Sequence, residues 1–454
     1  MMSTLELVLI TVASVTILLL LVLRFKIHAF ISLILVSIMV GLFTGMHFEE
    51  VLTSIQEGMA GVLGYIAVVV GIGAIFGEIL QDTGGVESLA RSMLKKFGEK
   101  KSSWALMTSG FLIAIPVFFE VGFIILVPMA FALARKTGKS VLYYAIPMMA
   151  GLAVTHAFIP PTPGPIAVAQ IIDVPLGWII IFGFIIGFPT AIVAGPLFGK
   201  YISQKIFLEP PEIDPDLQDI TDKKSDLPPY QWIIALICIP LFLILIRTLI
   251  ELGYNEGWMA GNTFWDALRF IGHPFIALLI ATLLAGYVVG IRRGYTADQI
   301  MRVANAALSP AGLIILVTGA GGVFKEILVD SGVGESLANI LTEYSISPVI
   351  LAYIISIVVR VTQGSATVAM ITAAGMIAPV VEVIDFSDIE KSLIVIAIAS
   401  GSTMLSHVND SGFWLVGKYL NMSEKQTLKS WTVMESLISA FSFIIVLILA
   451  WIFG

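Results

Sequence analysis

Apolar stretches long enough to cross a lipid bilayer recur along the whole chain, and they restrict its fold more than any other feature. A helix needs about 20 mostly apolar residues to cross the hydrocarbon core. Because that core offers the backbone no hydrogen bonds, only helices and closed barrels cross it. Eight stretches have this character: 7–23, 27–46, 59–80, 178–199, 232–250, 275–291, 311–329 and 437–453. The sequence therefore predicts an all-α polytopic membrane protein.

Composition supports this prediction and excludes several classes of protein. Of the 454 residues, 58% are hydrophobic and 13% are charged, whereas about 25% are charged in a typical soluble domain. HExxH, Walker A and nucleophile-elbow patterns are absent, and one cysteine with five scattered histidines gives no metal-ligand spacing. The net charge of −7 argues against a nucleic-acid partner. We therefore predict a protein that is not an enzyme and that uses no metal and no cofactor.

Four further apolar segments are interrupted by glycine, proline or polar residues. Segments 141–172 and 393–416 are long enough to span, so each predicts a broken helix. Segments 104–134 and 348–381 are too long for one helix and too short for two full spans. Basic residues flank the first of these on both sides, which indicates a re-entrant hairpin. The prediction is about ten transmembrane helices plus two re-entrant hairpins and two broken helices.

The distribution of Lys and Arg predicts the orientation of the spans, because cytoplasmic loops carry an excess of both residues. Five of them lie between positions 91 and 101, whereas loop 330–347 contains none. This pattern places both termini outside, with the first hairpin entering from the cytoplasm and the second from the outer side. Arg247 and Lys325 are the two charges that do not fit it.

An internal repeat links the two halves of the chain. Residues 73–90 read GAIFGEILQDTGGVESLA, and residues 321–338 read GGVFKEILVDSGVGESLA, with eleven of eighteen positions identical. The first copy leads into a basic loop and the second into a loop without Lys or Arg, so their predicted orientations are opposite. We predict two inverted repeats, 1–202 and 231–454, joined by a cytoplasmic linker at 203–230.

Inverted repeats with discontinuous helices are typical of secondary transporters, in which the substrate binds near the membrane midplane between the repeats. One alternative is a duplication that records ancestry without transport. Another is a channel-like or sensor protein with the same architecture.

The polar residues at the interruptions form the candidate site. In the first hairpin, Pro116 and Gly122 predict a reversal that leaves Glu120 at membrane depth, where a carboxylate is costly and usually functional. The alternative is a hydrogen bond from the hairpin backbone. In the first broken helix, four prolines between 160 and 165 remove backbone donors, which predicts a new helix N-terminus that attracts anions. The alternative is a plain external loop. Substrate contacts are predicted for Thr155, His156, Thr162 and Gly164.

The second hairpin carries hydroxyl and amide side chains suited to a polyol. Its arginine, Arg360, is suited to a carboxylate, because a guanidinium makes two parallel hydrogen bonds with that group. The alternative for this arginine is an internal ion pair with Glu or Asp of another span. Substrate contacts are predicted for Arg360, Thr362, Gln363, Gly364, Ser365 and Thr367.

The second broken helix contains Asp410, which we predict as a proton or cation carrier, because burial of a carboxyl group disfavours its charged form and allows it to exchange a proton near neutral pH. The alternative is that it caps the following half-helix. Glu120 and His407 are predicted as further proton-coupling groups, although a hydrogen-bonded structural role is an equal alternative for His407 and His156. Substrate contacts are predicted for the neighbours Asn409 and Ser411.

At these clusters the sequence resembles the GntP family of gluconate permeases, part of the ion-transporter superfamily. The stretches that carry the resemblance are IPVFFEVGFIILVPMAFALARKTGKS at 115–140, YYAIPMMAGLAVTHAFIPPTPGPIAVA at 143–169, RVTQGSATVAMITAAG at 360–375 and SHVNDSGFWLVGKYL at 406–420. The resemblance implies proton-coupled uptake of gluconate or a related small hydroxy acid across the bacterial cytoplasmic membrane. D-serine is the alternative substrate, since one branch of the family carries it. The resemblance also implies an elevator-like transport domain on a homodimeric scaffold.

Overall fold

The computed structural model describes residues 4–211, 227–344, 346–384 and 386–453. Within these ranges every regular element is a helix, which confirms the all-α prediction. Part of the predicted linker 203–230, residues 212–226, lies outside the described residues. The helices that are long and apolar enough to span a membrane are Phe48–Asp82, Leu142–Ile172, Leu176–Lys205, Tyr230–Asn255, Pro274–Arg293, Ala297–Asp330, Ala366–Val383 and Glu424–Phe453.

The first half contains ten α-helices, and a π-helical turn at Val193–Leu197 joins the last two into one continuous span. In chain order they are α1 (Thr4–Leu23), α2 (Ala29–Phe43), α3 (Phe48–Asp82), α4 (Gly85–Phe97), α5 (Ser102–Ile113), α6 (Phe119–Thr137), α7 (Leu142–Phe158), α8 (Pro163–Ile172), α9 (Leu176–Ile192) and α10 (Phe198–Lys205).

The described part of the second half repeats this order, with one additional short helix, α12, near its start. Its last span also contains a π-helical turn, at Leu428–Thr432. The helices are α11 (Tyr230–Asn255), α12 (Thr263–Ile271), α13 (Pro274–Ala285), α14 (Ala297–Asp330), α15 (Val333–Glu343), α16 (Pro348–Gln363), α17 (Ala366–Val383), α18 (Asp388–Gly401), α19 (Ser411–Tyr419), α20 (Glu424–Thr427) and α21 (Val433–Phe453).

Each interruption predicted from the sequence coincides with the end of one helix and the start of another. The first hairpin turns between α5 and α6, and the second turns at Gly364, whose φ of 86° is a conformation that favours glycine. The first broken helix opens between α7 and α8, where Pro160 and Pro161 have no N–H to continue the helix. The second opens between α18 and α19. The structure therefore contains four half-helices that begin inside apolar segments.

Helices α3 and α14 form an antiparallel pair that packs more extensively than any other pair of described helices. Their backbones approach closely at Gly58 and Gly322, since a Cβ atom on Gly58 would lie 2.7 Å from the carbonyl oxygen of Gly322. Near the end of the pair, Ser54 donates a hydrogen bond to Asp330. The first parts of the matched segments 73–90 and 321–338 lie in α3 and α14 respectively. Because these helices are antiparallel, the two segments run in opposite directions there, as an inverted repeat requires.

The two hairpins lie against the α3–α14 pair at further glycines. Gly77 of α3 leaves room for the carbonyl of Pro116, at the turn of the first hairpin. A Cβ atom on Gly375 of α17 would lie 3.0 Å from the carbonyl oxygen of Gly321 in α14. The α3–α14 pair thus meets both hairpins at close backbone contacts, and at Gly321 the side chain of Ile371 in α17 also packs against it.

We predict that Gly58→Ala destabilises the protein, because the added methyl group would press on the backbone of α14 at a cost of about 1–3 kcal/mol. Gly64→Ala on the same helix is the matched control, since nothing lies within 4 Å of its Cβ position. The thermal unfolding midpoint in detergent should fall for Gly58→Ala and stay level or rise for Gly64→Ala. Equal midpoints for the two variants would show that the crossing is not tight.

Candidate functional site

A buried ion pair joins the second hairpin to the second broken helix. Nη2 of Arg360, in the last turn of α16, donates to Oδ2 of Asp410 at 2.6 Å. The arginine side chain is 3% exposed and the aspartate side chain is 12% exposed. Within the described chain, Nε and Nη1 of the guanidinium are buried and have no hydrogen-bond partner. The pair therefore uses one edge of the guanidinium and leaves donors free elsewhere on it.

Three donors hold the carboxylate of Asp410. Besides the arginine, it accepts hydrogen bonds from the hydroxyl of Ser406 and from the backbone N–H of Gly412, the latter at 3.1 Å. The indole N–H of Trp431 donates to the same Ser406 hydroxyl at 2.6 Å. Asp410 is also the N-cap residue of α19. Both alternatives raised by the sequence, an internal ion pair and a helix cap, thus describe contacts that are present.

The ion pair faces a cavity of about 100 Å³, which we call the ion-pair cavity. Residues at the N-terminal ends of three half-helices, α6, α17 and α19, line it together with part of α7, a guanidinium and a tryptophan, and three of its lining residues are carboxylates. The lining includes Phe119, Glu120, His156, Arg360, Ser365, Thr367, Thr403, Asp410, Ser411, Trp431 and Glu435.

The half-helix N-termini contribute partial positive charge to this cavity. The first N–H groups of a helix have no intrahelical acceptor, and the helix dipole adds partial positive charge there. At the start of α6, the N-cap residue Phe118 offers no side-chain oxygen to those groups. Together with the unpaired donors of Arg360, these termini make the cavity suited to an anion.

A second, larger cavity of about 410 Å³, the wide cavity, shares Glu120, His156 and Thr367 with the ion-pair cavity. Its remaining wall comes from the first hairpin turn and from α3 and α14, and it includes Glu78 and Pro310. The ion-pair cavity therefore adjoins a wider space between the hairpins and the α3–α14 pair.

A third cavity of about 380 Å³, the far crevice, lies toward the other ends of α3 and α14. Glu57 and Glu326 line it, and an ion pair of 3.1 Å between Lys325 of α14 and Glu382 of α17 stands beside it. Among the described residues, the wide cavity and the far crevice thus lie toward opposite ends of the α3–α14 pair. The ion-pair cavity shares lining residues with the wide cavity and none with the far crevice.

The residues predicted in the first broken helix fall into two groups. His156 lines both the ion-pair cavity and the wide cavity, and its Nδ1 atom is buried without a partner in the described chain, as is Oγ1 of Thr155. Thr162, in contrast, donates to the carbonyl of Ile159 at 2.7 Å, and Gly164 faces Met370; neither lines these two cavities. The helix N-terminus at α8 is therefore turned away from the ion-pair cavity.

Several predicted residues of the second half bind backbone instead of facing the cavity. Thr362 donates to the carbonyl of Val358 at 2.7 Å, and the Asn409 side-chain amide donates to the carbonyl of Val361 at 2.9 Å. Nε2 of His407 lies 2.9 Å from that same carbonyl oxygen. The Thr362 contact lies within α16, whereas those of Asn409 and His407 fasten the turn of the second hairpin to the second broken helix.

The remaining predicted residues differ in their surroundings. Gly364 lies so close to the backbone of Asn409 that a side chain there would overlap with it. The amide of Gln363 is buried without a partner in the described chain. Ser365, Thr367 and Ser411 all line the ion-pair cavity.

Sequence reasoning missed Glu435, which is 4% exposed and lines the ion-pair cavity. The last apolar stretch was predicted to start at 437, which left this carboxylate outside the span. The helix is in fact continuous from Glu424 to Phe453 through its π-helical turn, and Trp431 on that turn packs on Phe119 with ring centroids 5.1 Å apart. A Glu two residues before an uncharged span was the signal that could have found it.

The sequence is similar to known transporters over almost its whole length. Residues 5–452 match the protein family described as GntP family permease. A low-affinity gluconate transporter of Escherichia coli is 42% identical over 96% of each chain. A gluconate permease of Pseudomonas aeruginosa is 39% identical over 95% of each chain, and the Gnt-II system L-idonate transporter of Escherichia coli is 39% identical over 94% of this chain and 95% of its own.

Two solved structures share the fold at low sequence identity. The YdaH transporter of Alcanivorax borkumensis aligns with a TM-score of 0.65 and 13% identity, covering 89% of this chain and 88% of its own. MtrF of Neisseria gonorrhoeae aligns with a TM-score of 0.62 and 16% identity, covering 89% and 84% respectively. These likenesses concern the fold alone.

We predict that Arg360→Gln and Asp410→Asn each lower stability strongly, because each leaves a buried charge without its partner, at a cost of roughly 3–5 kcal/mol. The double variant should recover much of this loss. Thermal unfolding in detergent without substrate measures the effect. Arg91→Gln is the control, since its pair with Glu87 is partly exposed to solvent and surface pairs contribute about 0–1 kcal/mol. Additive losses in the double variant would contradict the pairing.

Proposed function

Because the chain belongs to the GntP permease family, we propose that it imports gluconate or a closely related sugar acid by proton symport. The chain is a multi-pass membrane protein, and the proposed location is the bacterial cytoplasmic membrane. The observation that carries the proposal is the guanidinium of Arg360, which is buried at the meeting point of three half-helix N-termini with Nε and Nη1 unpaired in the described chain.

In this proposal the substrate carboxylate occupies the ion-pair cavity and accepts hydrogen bonds from Arg360. A planar guanidinium that already holds Asp410 through Nη2 still offers Nε and Nη1. The polyol chain then extends toward the wide cavity, past Thr367 and His156, which line both spaces. Ser365, Ser411 and Thr403 add hydroxyl groups within reach of the carboxylate end.

Alternating access follows in the proposal from relative movement of the hairpins and the α3–α14 pair. The wide cavity and the far crevice lie toward opposite ends of that pair, and of these two spaces the ion-pair cavity adjoins only the wide cavity. The ion pair between Lys325 and Glu382 bridges α14 and α17 beside the far crevice, where it holds the two parts together. A homodimer through the scaffold is part of the proposal by family resemblance.

The proposal is tested by uptake into proteoliposomes. We expect labelled D-gluconate to enter in counterflow against unlabelled gluconate inside, and to accumulate under an inward proton gradient but not under a sodium gradient alone. L-idonate and D-serine complete the substrate panel. Uptake without counterflow would indicate a channel, and preference for D-serine would move the substrate assignment to an amino acid.

We predict that Arg360→Lys weakens gluconate binding by roughly tenfold to a hundredfold, because lysine keeps the charge beside Asp410 but loses the planar fork. Arg302→Lys, at an exposed position of α14, is the matched control and should bind as the unchanged protein does. Calorimetric titration of the purified proteins measures both affinities. Unchanged affinity in Arg360→Lys would assign Arg360 to structure alone.

Orientation is tested by cysteine labelling in a Cys238→Ser background, which removes the chain's single cysteine. We expect a cysteine introduced by Glu343→Cys to react with an impermeant maleimide added outside intact cells. One introduced by Lys100→Cys should react only after the cells are opened. Both positions are exposed. The reverse pattern would contradict the proposed orientation.

A further inference from the structure

Glu435 is a buried carboxylate in the last membrane-spanning helix. It lies in the first turn of α21, directly after the π-helical turn, and it is 4% exposed. It lines the ion-pair cavity together with Arg360 and Asp410. Within the described chain, neither a hydrogen bond nor an ion pair reaches its carboxylate. Such a group is costly in a low-dielectric interior unless it is neutral or has a partner.

Four other titratable or charged side chains line the same cavity. Arg360 of α16 and Asp410 at the start of α19 act on Glu435 with opposite charges. Glu120 of α6 and His156 at the end of α7 line the side of the cavity that it shares with the wide cavity. Glu120 is exposed, whereas Glu435 is buried.

The charges of this cluster link substrate binding to protonation. Arg360 and Asp410 neutralise each other, so a bound carboxylate adds a negative charge to a cavity that Glu120 also lines. An ionised Glu435 would place a further negative charge beside the substrate, and the repulsion is strong at low dielectric. Substrate therefore binds better when Glu435 is neutral, and by linkage a bound substrate increases the proton affinity of Glu435 by the same factor.

We propose that Glu435 is the residue that carries the transported proton, and that its neutral form is the form that binds the substrate carboxylate. This inference rests on the proposed sugar-acid transport. Asp410, whose carboxylate accepts three hydrogen bonds, keeps the guanidinium of Arg360 in place. The proton moves from outside water to a carboxylate oxygen of Glu435, crosses with the substrate and returns to cytoplasmic water. One proton accompanies each carboxylate.

The decisive variant is Glu435→Gln, which mimics the neutral carboxyl group and does not release a proton. We expect it to exchange gluconate in counterflow while losing accumulation under a proton gradient. With one proton per substrate, a tenfold proton gradient supports up to about tenfold accumulation in the unchanged protein, and the variant should only equilibrate. Between about pH 5.5 and about pH 8.5 its gluconate affinity should also depend less on pH, whereas that of the unchanged protein should fall as the pH rises.

Two further variants separate coupling from structure. Glu435→Asp keeps a titratable group and should retain accumulation, although the shorter side chain changes its extent. Glu424→Gln makes the same substitution at an exposed position at the start of the same continuous helix, so it should accumulate gluconate as the unchanged protein does.

The outcomes distinguish this inference from the proposed function. Accumulation by Glu435→Gln above equilibrium would overturn the role of Glu435, and so would a folded Glu435→Gln that fails to bind gluconate. Absence of gluconate counterflow in the unchanged protein would instead overturn the proposed function.

A second measurement applies if Glu435→Gln does not fold. Titration calorimetry of the unchanged protein in buffers of different ionisation enthalpy counts the protons taken up when gluconate binds. We expect uptake to approach one proton per substrate toward the alkaline end of the range. Zero uptake across the whole range would overturn the proposal without any variant.

Discussion

The positive charge of a guanidinium buried within a membrane-spanning protein needs a negatively charged partner, and this constraint explains much of the arrangement around the site. The partner of Arg360 is Asp410, on a different broken segment of the chain. To bring the two together, the turn of the second hairpin must meet the break between α18 and α19. Hydrogen bonds from Asn409 and His407 to the carbonyl of Val361 fasten that contact. The pair leaves donors of the guanidinium unpaired in the described chain, which is a reason to expect an anion.

The α3–α14 pair provides the surface against which these parts lie. Its tight crossing at Gly58 and Gly322 favours a firmly packed pair, and the glycines that face the hairpins let the hairpin backbones approach this pair closely. The C-terminal ends of α3 and α14 belong to the two copies of the repeated segment. One copy lines the wide cavity and the other lines the far crevice, so the two spaces share one sequence pattern.

Much of the fold was predictable from the sequence, because it depends on length, hydrophobicity and helix-breaking residues. The breaks at Pro160–Pro161 and Gly364 follow from backbone chemistry, and the structure contains them. The site was predictable only in part, since sequence position does not say which way a side chain points. Thr162 and Asn409 lie at the predicted breaks but bind backbone carbonyls. Glu435 was missed because the helix continues through a π-helical turn that hydrophobicity alone does not reveal.

A structure with bound gluconate shows whether the donors of Arg360 that are unpaired in the described chain receive the substrate carboxylate. We expect the carboxylate in the ion-pair cavity, within hydrogen-bonding distance of Nε or Nη1 of Arg360, with the Asp410 pair intact and the polyol directed toward His156 and Thr367. Gluconate bound in the far crevice beside Lys325, or bound in the ion-pair cavity with its carboxylate away from Arg360, would contradict this expectation.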